Sequence, residues 1–272
     1  MHHHITLGYG NCECSNPTDR EPRRLQTESG LELIEDRVPT GVDGFDVLID
    51  GGVPRGSLVL MAGEAGSGKT IFSAQYLYHG ASKLAEPGIY VSFGENRETF
   101  LDNMKKLKMH FENLEREGKF EFLDYATTTE KAVTETLTNI LSEIDRLRAR
   151  RLVIDPFTAL AQAFKGPIDA RVAIRTILGK MVRQAGCTTL LITEKTSGVR
   201  QMGWGIEEFV ADGVVLLTLS SGKRRLKRSL QVIKMRGTKA CEKVVRYDIN
   251  ERGITICEFP KVKRSRKATP RN

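Results

Sequence analysis

The sequence predicts an α/β fold: a central, mostly parallel sheet with helices on both faces and a C-terminal extension of antiparallel strands. Two patterns along the chain indicate this. From Ser57 to Asp212, short apolar runs alternate with longer amphipathic runs, which is typical of a parallel sheet covered on both faces. After Asp212, apolar runs follow one another with no helical pattern between them, as expected of antiparallel strands at a sheet edge.

The individual elements follow from the spacing of the apolar residues. In the alternating part, strands are predicted at residues 58–61, 89–93, 120–123, 152–154 and 189–192. Helices are predicted at residues 69–83, 97–108, 129–149 and 169–184, where apolar positions recur every three or four residues. In the extension, strands are predicted at residues 214–219, 229–235, 244–249 and 254–259.

The sequence argues against a membrane-spanning protein and against a secreted protein. Hydrophobic residues make up 40% of the 272 residues, but no apolar run approaches the roughly 18 residues that a membrane-spanning helix needs. The start, Met1 to Ile5, has neither a basic nor an apolar segment and does not resemble a secretory signal. The five cysteines form an odd set without regular spacing, which is typical of reduced thiols. We therefore expect a cytoplasmic protein with no membrane segment.

One domain is predicted over residues 36–260, because this stretch shows neither an internal repeat nor a dividing linker. Residues 1–35 are polar, lack sustained periodicity and are predicted to form a disordered arm. The arm contains His2-His3-His4 and Cys12-Glu13-Cys14, which could be interpreted as a metal cluster. Because no second ligand pair follows, we favour a short unfolded tail or a tag remnant.

Positive charge is concentrated in two segments of a chain whose net charge is +8. One is the block 223–228, and the other is the C-terminal tail 261–272, which has six basic residues and no acidic one. Such runs are usually solvated surface or disordered tail, and less often they contact nucleic-acid phosphates. Both interpretations of the tail, a solubilising segment and a nucleic-acid arm, therefore stay open.

A phosphate-binding loop follows the first strand of the alternating part. The segment Gly63-Glu64-Ala65-Gly66-Ser67-Gly68-Lys69-Thr70 matches G-x-x-x-x-G-K-[ST] at every fixed position. The glycines allow backbone N–H groups to turn inward around a β-phosphate, next to the positive end of the following helix. Lys69 adds a charge for the β and γ oxygens, and Thr70 offers a hydroxyl to Mg²⁺. The loop therefore predicts ATP and Mg²⁺ as ligands.

Asp155 is the predicted second residue of the magnesium site. It ends the run Arg151-Leu152-Val153-Ile154, an apolar strand closed by an acid, which is the Walker B form. Its carboxylate would hold the metal, through water, opposite Thr70. Many buried strands end in an acid, so this interpretation depends on the P-loop upstream.

Four further segments accompany these motifs. They are Pro39-Thr40-Gly41-Val42-Asp43-Gly44-Phe45-Asp46, Gly51-Gly52-Val53-Pro54-Arg55-Gly56, Ile206-Glu207-Glu208-Phe209-Val210-Ala211-Asp212 and Lys234-Met235-Arg236-Gly237-Thr238. With them, residues 37–259 resemble the KaiC-like branch of the RecA-type P-loop ATPases, in a single-domain form. The resemblance implies a RecA-like P-loop NTPase fold, ATP hydrolysis and a homohexameric ring with nucleotide at each subunit interface. It does not indicate which other protein, if any, the ring binds.

Two departures from the family limit what the resemblance implies. Family members commonly carry two adjacent glutamates after the second strand, whereas this chain has Gly94-Glu95. The chain also has Glu208-Phe209 where the phosphorylated domain of the clock proteins has adjacent hydroxyl residues. Autophosphorylation and oscillation are therefore not implied.

Glu95 is the predicted catalytic base. It follows the strand at 89–93, at the carboxyl edge of the sheet where ligands of open α/β folds bind. A carboxylate there can orient and polarise the water that attacks the γ-phosphate, and the family resemblance favours this role. The alternative is that Glu95 is an exposed loop acid just before the next helix, and that Asn96 or Glu95 itself caps that helix.

Lys234 and Arg236 are predicted to act on the ATP of a neighbouring subunit. Arg236 follows the strand at 229–235 in a turn expected to be flexible, and a cation delivered to the γ-phosphate accelerates hydrolysis. The matching Lys-x-Arg-Gly-Thr segment has this role in KaiC-like rings, which is why it is carried over. The alternative is a basic edge strand, whose charges protect the sheet from pairing.

Three functions remain compatible with these features. The first is an ATPase whose hydrolysis drives or times an assembly. The second is a nucleotide-sensing module that oligomerises with negligible turnover. Gly94 favours this second function, whereas the first is favoured by the retained residues Glu95, Asp155, Lys234 and Arg236. The third is a recombinase-like accessory of DNA repair, which rests on the basic tail and on fold analogy alone.

Overall fold

The computed structural model describes residues 37–125, 130–162, 186–194, 211–221 and 226–258. Within them it confirms the predicted α/β class, with a sheet of nine strands. Several predictions concern residues outside these ranges. They are the N-terminal arm with its His and Cys residues, the helix at 169–184, the segment 206–210 and the basic tail at 261–272.

A small two-stranded sheet precedes the large one. Strand β1 (Arg37–Val38) pairs antiparallel with β2 (Val53–Pro54), and a short 3₁₀ helix (Asp46–Ile49) lies between them. The Asp46 carboxylate accepts hydrogen bonds from the N–H and the hydroxyl of Thr40, which closes the segment on itself. Each of these elements is too short to show a periodic pattern, so the sequence did not predict them.

The large sheet combines parallel and antiparallel strands. Its members are β3 (Leu58–Gly63), β4 (Gly88–Ser92), β5 (Phe120–Asp124), β6 (Arg151–Asp155), β7 (Thr188–Glu194), β8 (Gly213–Ser221), β9 (Leu226–Met235), β10 (Val245–Asn250) and β11 (Gly253–Glu258). Their order is β11-β10-β9-β8-β3-β7-β6-β4-β5. Strands β3 to β8 are parallel to one another, and β9 to β11 form the antiparallel extension.

The helices in the described ranges connect the parallel strands. They are α1 (Lys69–Lys83), α2 (Arg97–Lys106), α3 (Phe111–Arg116), α4 (Glu130–Leu147) and α5 (Phe157–Gln162). The sequence extended α2 to residue 108, but Lys108 has a φ of 60°, a left-handed conformation that cannot continue a helix. It missed α3 and α5, which have only six residues each. None of these helices has the length and apolar composition needed to cross a membrane.

Strand β3 shows why both faces of the sheet are covered. Successive side chains of a strand point to opposite faces. Val59 and Met61 belong to a core cluster with residues of α1, α2 and α3, whereas Leu58 and Leu60 belong to a second cluster with residues of α4. Burial on both faces explains the unbroken apolar run in this strand.

A bulge in β9 sets the position of Lys234. Val232 and Met235 are both buried although they are three residues apart, which does not fit a regular strand. The pairing with β8 shifts here by one residue and leaves Ile233 as the extra one, with Lys234 opposite Val214. Such a bulge re-aims the side chains that follow it.

Candidate nucleotide site

The loop between β3 and α1 has the backbone of a phosphate cradle. β3 ends at Gly63 and α1 begins at Lys69, so the P-loop lies between a strand and a helix. Gly66 and Gly68 have φ angles of 77° and 94°, in the region that favours glycine. A Cβ on Gly68 would also lie 2.9 Å from Cδ1 of Ile249. The backbone angle therefore requires glycine at position 68, and a side chain there would also displace the tip of Ile249.

The antiparallel extension supports this loop and its helix. The hydroxyl of Tyr247, in β10, donates a hydrogen bond to the carbonyl oxygen of Ser67 in the loop. Gln75 of α1 accepts from the N–H of Ile254 at 2.7 Å and donates to its carbonyl oxygen at 3.2 Å. The cradle is thus fastened to strands that follow it by about 180 residues along the chain.

Lys69 is held against its own loop. Its Nζ donates hydrogen bonds to the carbonyl oxygens of Gly63 at 2.8 Å and Glu64 at 3.0 Å. Burial lowers the pKa of Lys69, while the charges of Asp155, Glu194 and Glu64 act in the opposite direction. The ammonium group is therefore already at the loop that would surround the phosphates, whose charge would favour its protonated form.

The structure brings Thr70 and Asp155 together. Thr70 Oγ1 donates a hydrogen bond to Asp155 Oδ2 at 3.1 Å, and the hydroxyl of Tyr90, in β4, donates to the same oxygen at 2.5 Å. Burial raises the pKa of Asp155, while these two hydrogen bonds and the charge of Lys69 lower it. The two residues predicted from separate motifs are thus side-chain neighbours.

The donors at this point suit Mg²⁺. A hydroxyl and a carboxylate are hard oxygen ligands, and Mg²⁺ is usually bound by one or two carboxylates together with waters and substrate phosphates. Among the described residues, no three or more His, Cys, Asp or Glu side chains are grouped so that they could hold a metal ion by themselves. A magnesium ion at Thr70 and Asp155 would therefore complete its shell with phosphate oxygens and water.

Glu95 lies at the same carboxyl edge of the sheet, just after β4. Its Oε1 accepts a hydrogen bond from Asn103 Nδ2 at 3.0 Å. Burial and the charge of Asp155 raise the pKa of Glu95, whereas the hydrogen bond from Asn103 lowers it. The cap of α2 is Asn96, whose Oδ1 accepts from the N–H of Thr99 at 2.9 Å. Glu95 is therefore not the helix cap, and its carboxylate is held by a neutral side chain at the edge where ligands bind.

The glycine beside Glu95 is not required by the structure. A Cβ on Gly94 would meet only Cδ of Pro156, at 3.8 Å, which is an ordinary contact. The backbone there is not in the left-handed region either. The backbone and the space around a Cβ therefore allow a residue other than glycine at position 94.

Lys234 and Arg236 lie at the opposite end of the strands from the P-loop, where the parallel strands begin. β9 is antiparallel to β8, and β8 is parallel to β3, so β9 ends beside the start of β3. Lys234 Nζ donates to the carbonyl oxygen of Ala211 at 2.6 Å, and Arg236 Nη1 lies 3.1 Å from Asp212 Oδ1. From this end to Gly63 is about 17 Å at about 3.3 Å per residue. Neither side chain is long enough to reach its own P-loop.

The turn that carries Arg236 is hydrogen-bonded to the start of the domain, a restraint that the prediction of a flexible turn did not include. Arg37 donates a hydrogen bond to Thr238 Oγ1 at 2.5 Å, and Asp50 accepts one from the N–H of Lys239 at 3.1 Å. Arg37 and Thr238 are 201 residues apart in the chain. Because these partners come from the start of the domain, the local pattern of the turn could not indicate them.

Comparison with known proteins decides the family. The model of the family described as "ATPase: KaiC" matches residues 38–261. This chain belongs to the KaiC family of ATPases. It is 35% identical over 244 residues to a UPF0273 protein from Pyrococcus furiosus, in a match that covers 85% of this chain and 97% of that protein.

Two other KaiC-family comparisons agree. The circadian clock oscillator protein KaiC of Synechococcus elongatus is 34% identical over 236 residues, covering 82% of this chain and 44% of that protein. This chain thus spans about half the length of the clock proteins it matches. The crystal structure of a KaiC-like protein from Pyrococcus horikoshii matches with a TM-score of 0.74 and 34% identity, over 82% of this chain and 99% of that one. The resemblance and the RecA-like fold are confirmed.

Two residues of this KaiC-family site were not predicted from sequence. Tyr90 lies inside an apolar strand and had no feature to distinguish it from core. Glu194 ends β7, directly beside Gly63 in the parallel pairing, and its charge acts on both Lys69 and Asp155. It also closes an apolar strand with an acid, the pattern that identified Asp155, so the sequence did contain this signal.

Proposed function

We propose that this protein binds ATP with Mg²⁺ and hydrolyses it at the interfaces of a homohexameric ring in the cytoplasm, to drive or time an assembly. The observation that carries the proposal is the contact between Thr70 and Asp155 beside the P-loop. Two residues that the chain separates by 85 positions meet where a magnesium ion bound to phosphates would lie. Membership of an ATPase family supports the same reaction.

Each residue would supply a separate part of the reaction. The N–H groups of the P-loop and the ammonium of Lys69 would bind the phosphates, and Mg²⁺ held at Thr70 and Asp155 would neutralise their charge. Glu95 would orient a water molecule and accept its proton as the oxygen bonds to the γ-phosphorus. The bond from that phosphorus to the bridging oxygen breaks, and ADP and phosphate leave.

The position of Arg236 supports hydrolysis at an interface. Charge on the γ-phosphoryl group is stabilised in many NTPases by an arginine, which can come from a neighbouring subunit. Arg236 and Lys234 are at the far end of the strands from their own P-loop, so they could act only on another copy's ATP. In a ring, head-to-tail contacts join two different patches of each subunit, so the proposal pairs the end that carries Arg236 with the P-loop end of the next subunit.

The ATPase rate as a function of protein concentration tests this function. We expect the rate per subunit to rise with concentration as the ring forms, to require Mg²⁺ and to vanish in Lys69→Ala. DNA is added in a parallel arm, and a rate that appears only with DNA would favour the accessory function in DNA repair. A rate per subunit that is constant down to concentrations where light scattering shows monomers would contradict the interface mechanism.

Gly94 favours a second candidate, a nucleotide-sensing module with little turnover. Family members commonly have glutamate there, and the structure shows that glycine is not required for packing. We expect Gly94→Glu to fold normally and, if slow turnover is the function of the natural chain, to hydrolyse ATP faster. Gly94→Ala is the matched control, since it changes the backbone freedom without adding a carboxylate. Equal rates in all three proteins would remove the support for the sensing function.

A further inference from the structure

Asp212 joins two parts of the molecule through both its backbone and its side chain. Its N–H donates to the carbonyl oxygen of Leu58 at 2.7 Å, and its Oδ2 accepts from the N–H of Leu58 at 3.1 Å. Its carbonyl oxygen accepts from the N–H of Arg236 at 2.9 Å, and its Oδ1 accepts from Arg236 Nη1 at 3.1 Å. One residue therefore holds the first residue of β3 and the arginine that follows β9.

We propose that Asp212 is a positioning residue, which aims the Arg236 guanidinium out of the subunit toward the ATP of its neighbour. The proposal rests on the interface mechanism described above. It assigns the direction of Arg236 to an acid that lies in the same subunit and touches no nucleotide.

The carboxylate of Asp212 is well suited to fix a direction. A surface ion pair between two long, mobile side chains contributes little, because each partner can rotate away. Here Oδ2 is engaged by the backbone of Leu58, so the carboxylate cannot turn without breaking that hydrogen bond. The backbone of Arg236 is tied to the same residue. The arginine is thus anchored at its base and again near its tip.

The ion pair leaves the guanidinium able to bind a phosphate. Arginine has five N–H donors in a planar fork, and Asp212 engages Nη1. The side chain of Arg236 is 61% exposed, compared with 34% for that of Asp212. Arg236 can therefore keep its contact with Asp212 while its other N–H groups contact the γ-phosphate of a neighbouring subunit. The ion pair with Asp212 therefore does not have to break before Arg236 can act in catalysis.

Strand β3 also connects the part of the subunit that carries Arg236 to the P-loop. β3 begins at Leu58, which Asp212 holds, and ends at Gly63, where the P-loop starts. Asp212 therefore holds the first residue of the strand whose other end carries the P-loop.

The test is Asp212→Asn in the full chain, with ATP hydrolysis and ATP binding measured separately. Asparagine can still accept from the N–H of Leu58, but its amide group then faces Arg236 as a donor without charge. We expect kcat to fall by about tenfold or more, since a small misplacement of a catalytic group costs this much, while KM, ATP affinity and melting temperature stay unchanged. Asp145→Asn, at an exposed position of α4, is the control and should behave like the natural protein.

A second variant distinguishes positioning from a structural role. If Asp212 acts through Arg236, then adding Asp212→Asn to Arg236→Ala should lower kcat no further. An unchanged kcat in Asp212→Asn, a loss of ATP affinity and stability instead, or full additivity with Arg236→Ala would each overturn the proposal. Absence of hydrolysis by the natural protein would overturn the proposed ATPase function, and the role of Asp212 with it. Normal hydrolysis by the natural protein together with any of those three results would overturn the role of Asp212 alone.

Discussion

The phenol of Tyr90 donates a 2.5 Å hydrogen bond to Asp155 Oδ2, the oxygen that also accepts from Thr70. Tyr90 is fully buried, and its ring stacks on Phe122 with centroids 5.4 Å apart. The aromatic core beneath β4 thus fixes the hydroxyl that orients the Asp155 carboxylate. If Asp155 holds Mg²⁺ as we propose, this hydrogen bond should tune the affinity for the metal, because the hydrogen-bond partners of a ligating carboxylate generally do so.

Tyr90→Phe should therefore raise the Mg²⁺ requirement of the protein. The substitution keeps the ring and its stacking and removes one hydroxyl, so Asp155 loses a donor that orients it. We expect the Mg²⁺ concentration for half-maximal ATP binding to rise by about tenfold, with stability nearly unchanged. Tyr78→Phe, on α1, is the control for removal of a tyrosine hydroxyl elsewhere. An unaltered Mg²⁺ dependence in Tyr90→Phe would show that the hydroxyl does not matter for the metal.

Glu95→Gln should separate binding from hydrolysis. The amide cannot accept a proton from the attacking water, but it has nearly the same size and can still bond to Asn103. We expect ATP affinity to be preserved and the hydrolysis rate to fall by about a hundredfold or more, the usual contribution of a general base. The comparison variant is Glu98→Gln, three residues on and exposed, which should keep full activity. A Glu95→Gln protein as fast as the natural one would mean that another group takes the proton.

Arg151, the first residue of β6, supports a prediction about stability at the end of the strands opposite the P-loop. This side chain is fully buried; its Nη1 donates to the carbonyl oxygen of Pro39 at 2.8 Å, and its Nε donates to Glu86 Oε2 at 2.7 Å. Gly80 of α1 makes room for it, since a Cβ there would lie 2.7 Å from Arg151 Cζ.

Gly80→Ala should accordingly destabilise the fold. Helix propensity alone would favour alanine by about 1 kcal/mol, but overlap with a fixed, buried guanidinium should cost about 2 kcal/mol or more. We expect the free energy of unfolding in denaturant to decrease, whereas Ser82→Ala, exposed on the same helix, should change it little. A Gly80→Ala protein more stable than the natural one would show that Arg151 can move aside at little cost.

The basic tail allows a prediction about nucleic acid. Its six basic residues at 261–272 have no aromatic residues among them, so any contact would be with phosphates rather than bases. If the protein binds DNA, deletion of residues 261–272 should weaken the binding and reduce its salt dependence. Equal affinity and an equal salt slope for the truncated chain would mean that the tail takes no part.

Local patterns predicted the elements that have a period or a fixed motif. The strand and helix around Gly63 and Lys69 follow from apolar spacing and from the P-loop itself. Asp155 follows from an apolar strand closed by an acid. These signals are contained in a few consecutive residues, which is why a single sequence shows them.

Long-range contacts could not be predicted in the same way. Tyr90 and Asp155 are 65 residues apart, and nothing near Tyr90 distinguishes it from a core tyrosine. The fixed turn at Arg236 depends on Arg37 and Asp50, at the other end of the domain. The bulge at Ile233 likewise depends on the pairing of β9 with β8. Each requires knowledge of which segments are neighbours in space.

Arg236 of one subunit is proposed to act on ATP bound at Lys69 of another, and mixing two variants that each hydrolyse ATP poorly is the sharpest test of that role. Arg236→Ala has an intact P-loop, and Lys69→Ala has an intact arginine. In a mixed ring, some interfaces combine the intact P-loop with the intact arginine. We expect mixing to raise ATP hydrolysis above that of either variant alone, to at most about a quarter of the natural rate if subunits mix at random. Mixed rings that demonstrably form, yet hydrolyse no more ATP than the separate variants, would show that Arg236 does not act on a neighbouring subunit's ATP.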